Sequence, residues 1–162
     1  MEAIIQKIVT REYDMMIRIN NIGGPASCQS QTDAFSLMRT SQFQVWTNVM
    51  LESYLGDLID AEASGRNLLF EKYAWMMEHS LPDAFAQVRH ALPVLPPEQL
   101  AEVEECVAME AVWAEECARR YPALARHGRP LRTVQDTPEQ TSMETYNRGE
   151  LRTYSRRTLT LY

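Results

Sequence analysis

The chain has 162 residues, of which 45% are hydrophobic and 23% charged, with a formal net charge of −6. That length fits one domain over 1–162, able to bury a core of useful size, and the mixed charge disfavours extended disorder. The acidic balance argues against a nucleic-acid binder or an anionic-membrane binder, either of which needs a basic face.

Residues 2–19 place Ile4, Ile5, Ile8, Tyr13, Met16 and Ile19 at helical spacing, which predicts a first helix. Asn20-Asn21 ends it, and Gly23-Gly24-Pro25 forbids continuation. A second helix is expected from residues 30–33, where Ser, Thr and Asp offer caps, to residue 63, with Ser64-Gly65 as its stop. About 31 residues at 1.5 Å each would span roughly 45 Å, a long central spine.

A third helix is expected over 68–79, and a short fourth follows Ser80-Leu81-Pro82-Asp83. Pro93, Pro96 and Pro97 form a stiff connection to a fifth, over 98–121. Residues 122–141 are polar and broken by Pro122, Gly128, Pro130 and Pro138, a connection longer than a bundle needs. A sixth helix runs from Ser142 to the C-terminus. No alternating apolar run suggests a strand, so the expected fold is all-α: a single-domain bundle of five to six helices, with a long central helix and a long irregular loop before the C-terminal helix.

Candidate chemistry gathers in two segments. Cys28 follows the Gly23-Gly24 turn near the start of the second helix, where unpaired N–H groups favour a thiolate or an anionic ligand. A plain turn with a small buried cysteine explains the same residues. Arg39 and Gln42 lie on one helix face with Trp46, and arginine suits a planar carboxylate; a structural ion pair is the bland alternative. Glu71-Lys72-Tyr73 reads as part of a solvated face.

In the C-terminal third, Arg129 and Arg132 precede a helix whose Tyr146, Glu150 and Tyr154 stand four apart. Such a stripe suits acid–base work, although amphipathic packing produces it more often. The histidines are scattered, no metal-ligand spacing is present, and no nucleotide-binding fingerprint occurs, so neither metal nor cofactor is expected. Three cysteines, no basic apolar leader and no run of about 18 apolar residues suggest a reduced, cytoplasmic protein off the membrane.

Asn20-Asn21-Ile22-Gly23-Gly24, Ser27-Cys28-Gln29, Met38-Arg39, Ser41-Gln42 and Trp46 resemble a bacterial family of unknown function, domain of unknown function four-one-two-five. So do Gly65-Arg66-Asn67-Leu68-Leu69, Glu71-Lys72-Tyr73-Ala74, Met76-Met77 and the tail from Thr141-Ser142 through Thr153-Tyr154-Ser155. The resemblance covers essentially the whole chain and implies a stand-alone, cytoplasmic helical protein, with no activity attached. One departure is visible: the family pattern has Arg after Gly-Gly, where this chain has Pro25.

The leading expectation is a protein that binds a small anionic metabolite, an amino acid or carboxylate, with elimination or group transfer as the reaction class if it is an enzyme. Asn21, Gly23, Gly24, Arg39, Gln42, Arg129 and Arg132 would bind it, and Cys28, Tyr146 and Glu150 would do the chemistry. The alternatives are a ligand sensor and a non-catalytic helical interaction module, with a homodimer or protein partner left open.

Overall fold

A computed structural model describes residues 1–20, 29 and 31–162. The protein is all-α: among the described residues there are nine α-helices, α1 to α9, and no strand. Contacts group them into two compact units, Met1–Phe70 with Tyr154–Tyr162, and Glu71–Thr153.

In the first unit, α1 (Glu2–Ile17) buries Ile5, Ile8, Val9, Met15 and Met16 along one stripe. It packs on α2 (Thr32–Phe43) and α3 (Asn48–Ala63), and α3 also packs on α9 (Arg156–Leu161). The Gln29 side chain donates to the Met16 and Ile19 carbonyls, 2.9 Å each, and so satisfies backbone at the end of α1.

The long helix expected over 30–63 is two helices. Trp46 turns inward, 5% exposed, edge-on to Phe43 at 5.1 Å and close to Tyr54, Tyr154 and Tyr162. Thr47 then adopts extended backbone and accepts a hydrogen bond from the Met50 N–H at 3.3 Å, capping α3. The apolar period reads straight through this bend because both helices keep the same face inward. At the end of α3, Gly65 has φ 71°, a left-handed position that suits glycine, and the Arg66 N–H closes on the Ala61 carbonyl at 2.8 Å.

Helix α4 (Leu68–Ser80) begins in the first unit and continues into the second. The second unit adds α5 (Pro82–Val88), α6 (Pro97–Arg120), α7 (Pro122–Ala125) and α8 (Met143–Leu151). The longest helix is therefore α6, at 24 residues, packed on α8 and α7. The expected irregular loop before α8 is present, with a 3-10 turn at Thr133–Gln135. Ser142 caps α8 by accepting from the Thr145 N–H at 3.1 Å. The expected C-terminal helix stops at Leu151 and restarts at α9, capped by Ser155.

Candidate functional site

Among the described residues, each unit holds a buried polar cluster built on an ion pair. In the first, Glu12 sits in the apolar stripe of α1 and is 0% exposed. Arg39 donates Nε to its Oε2 at 2.7 Å and Nη2 to its Oε1, while Nη1 donates to Gln42 Oε1 at 2.6 Å. The Tyr54 hydroxyl donates to Glu12 Oε1 at 2.8 Å, and the Arg39 guanidinium lies 4.8 Å from the Phe43 ring centre. The planar carboxylate that Arg39 meets is thus an internal one, in the two-pronged geometry arginine prefers. An open depression lined by Gln31, Thr32, Asp33 and Ala34 lies at the start of α2. Asn21, Gly23, Gly24 and Cys28 lie outside the described residues.

In the second unit, Lys72 Nζ donates to Glu150 Oε2 at 2.7 Å, and both side chains are buried. The ammonium also lies 3.8 Å from the centre of the Tyr146 ring. Above the same ring the exposed Arg129 guanidinium sits at 4.8 Å. Its Nη1 is held by the Thr141 carbonyl and hydroxyl, 3.0 Å each, and among the described residues Nε and Nη2 have no hydrogen-bond partner. The half-buried tyrosine ring therefore meets two cations, the buried Lys72 ammonium and the exposed Arg129 guanidinium.

Gly149 makes this arrangement possible. A Cβ there would come 2.8 Å from the Lys72 carbonyl oxygen and 2.8 Å from Met76 Cγ. Without one, α8 lies directly on the backbone of α4, and Tyr146 and Glu150, four apart on one face, reach Lys72 together. Lys72 corrects the expected solvated face: it is 3% exposed, and the neighbouring Glu71 2%.

The loop before α8 is pinned by its own polar contacts. Asp136 accepts from the Ser142 N–H at 2.6 Å and the Thr145 hydroxyl at 2.5 Å. Glu144 accepts from the Thr133 N–H at 2.8 Å and pairs with Arg148, which also donates to Glu104. Burial pushes the Glu144 carboxyl up, but the Thr133 N–H and Arg148 outweigh it and hold it below the usual value. Arg132 donates to Glu115 at 2.6 Å, and this bond lowers the glutamate and raises the arginine.

Of the expected site residues, Arg39 and Gln42 come together in the first unit, and Arg129, Tyr146 and Glu150 in the second. Arg132 stands apart from that second cluster, on Glu115. Tyr154 is past the end of α8 and packs on Trp46 and Tyr54. Among the described residues, no three His, Cys, Asp or Glu side chains converge as metal ligands would, and no helix is long and apolar enough to cross a membrane. Burial first, then Glu110, Glu105 and Glu102, push the Cys106 thiol up, away from a reactive thiolate.

The sequence over residues 2–162 matches a family model described as protein of unknown function, DUF4125. The chain belongs to the DUF4125 family. No curated protein and no solved structure matches it. The resemblance carried by the Gly23-Gly24 pair, Arg39, Lys72 and the C-terminal tail is therefore real.

Proposed function

We propose that this DUF4125 protein binds a small anionic metabolite, an amino acid or other carboxylate, at Arg129 above Tyr146. The observation that carries the reading is the held yet exposed guanidinium, with Nε and Nη2 open to a ligand carboxylate. Beside it are groups that proton chemistry needs: Tyr146, whose hydroxyl would be acid or base, and Glu150, which holds Lys72 near the ring. Elimination or group transfer is the proposed reaction class. Residues 21–24 are a second anion-binding candidate on sequence grounds alone, and Cys28 a candidate nucleophile. Three cysteines and the absence of a membrane-crossing helix among the described residues support a cytoplasmic setting for the proposal.

A thermal-shift screen of amino acids, dicarboxylates and phosphorylated metabolites tests it. A ligand at about 100 times its Kd stabilises by about 2.7 kcal/mol, or roughly 5–10 °C for a chain of this size. Stabilisation by a carboxylate that Arg129→Ala abolishes is the expected result; no shift from any anion overturns the reading. With a ligand in hand, Tyr146→Phe is expected to keep binding and lose turnover. Binding without turnover in the unaltered protein would favour the sensor.

A further inference from the structure

The end of α6 and the turn of helix after it carry a pattern that neither polar cluster uses. Pro122 disfavours helical backbone at Tyr121, so α6 stops there and the chain turns into α7. From Arg119 to Arg129 every residue is exposed except the half-buried Ala125. Four of these eleven residues are arginine, and no Asp or Glu occurs between Glu116 and Asp136. In a chain of net charge −6, this is a basic stretch that the overall balance conceals. The Leu124 N–H donates to the Tyr121 carbonyl at 3.1 Å, which sets the two residues a turn apart, and they are 59% and 69% exposed. Large apolar side chains are thus left in water between Arg119 and Arg120 on one side and Arg126 on the other.

We propose that this stretch docks on an anionic lipid surface. Tyr121 and Leu124 enter the headgroup boundary, and the flanking guanidiniums meet lipid phosphates, so charge and apolar insertion act together. The Arg126 side chain has no hydrogen bond or ion pair among the described residues. Arg119 and Arg120 share Glu116, but all three side chains are exposed, and open pairs of this kind are weak enough to yield to a denser anionic surface. Two features favour a bilayer over a nucleic acid or an acidic peptide. The stretch has no Asn, Gln, Ser or Thr side chain to read base edges, and its exposed Leu124 has no base to stack on. Exposed along its length, it encloses no groove for a peptide, whereas headgroups can close around it. The docking is independent of the anion site, because it needs Arg119, Arg120 and Arg126 rather than Arg129.

Co-sedimentation of the full chain with vesicles reads the docking directly. Binding is expected to vesicles of equal parts phosphatidylcholine and phosphatidylglycerol, not to phosphatidylcholine alone, and to fall as salt rises. Arg126→Ala is expected to weaken it about 5-fold, and the triple variant Arg119→Ala/Arg120→Ala/Arg126→Ala roughly 100-fold. Leu124→Ser leaves the charge unchanged and is expected to weaken it as well, by removing the inserted side chain. Helical circular dichroism is expected to be the same in every variant, because these side chains are exposed. A protein that binds neither vesicle, binds neutral vesicles equally well, or tolerates Leu124→Ser without loss overturns the proposal. So does tighter binding to polyuridylate or polyglutamate through the same arginines.

Discussion

Glu12 and Lys72 are both charges placed where the helical pattern demands carbon. Glu12 continues the stripe of Ile5, Ile8 and Met15, and Lys72 sits among Leu68, Leu69, Ala74 and Met76. Removing water from such groups costs several kcal/mol per ion, so each depends on the opposite charge that meets it. Lys72→Met leaves Glu150 buried without its cation and is expected to cost about 3–5 kcal/mol in urea unfolding. The double variant Lys72→Met/Glu150→Leu is expected to recover most of that loss. If the single and double variants are equally unstable, the pair is not what Glu150 depends on. Glu12→Ala is expected to be similarly costly, because Arg39 loses both prongs and Tyr54 its acceptor. Neither partner was legible in the sequence. Arg39 announced that it wanted a carboxylate, but sequence spacing shows only neighbours on the same helix, and Glu12 is 27 positions away. A sharper signal was available for Lys72: a helix apolar on most of its surface has no solvated side for Glu71 and Lys72 to share.

The helices themselves were largely readable, because caps and breakers are local. Ser64-Gly65, Pro97 and Ser142 act where the sequence put them. What escaped were the two interior restarts, at Thr47 and Ser155. Each is a polar cap inside an unbroken apolar period, and the side chain that decides it, Trp46 in the first case, acts through an aromatic cluster assembled from distant segments. Gly149 falls inside the expected sixth helix with nothing in the sequence to mark it, since only the approach of the Lys72 carbonyl gives it a purpose. Gly149→Ala is expected to destabilise by about 1–3 kcal/mol, against the slight gain alanine gives in an ordinary helix. A thermal melt checks it; an unchanged or higher Tm would mean that α8 does not lie tightly on α4.

For the molecule as a whole, the acidic sequence and its pinned carboxylates predict how it responds to acid. The Glu144 carboxyl lies below its ordinary value of about 4.3 in the folded chain, so it binds protons less readily folded than unfolded. Its contribution is present above that ordinary value and is lost as pH falls through the lower folded one. Melts between about pH 6 and pH 2 are expected to show Tm falling on the acid side. The fall is expected to be shallower in Glu144→Gln, and an identical slope would remove Glu144 from the acid response. The site itself combines parts the sequence offered separately: Arg129 from the loop, Tyr146 and Glu150 from one helix, and Lys72 from another.

The most direct test of the proposed anion site is titration calorimetry of the best-stabilising carboxylate with the unaltered protein and with Arg129→Ala. A charged hydrogen-bonded contact contributes about 1.5–3 kcal/mol, so the variant is expected to bind roughly 10- to 150-fold more weakly. Equal affinity in the two proteins would contradict the site.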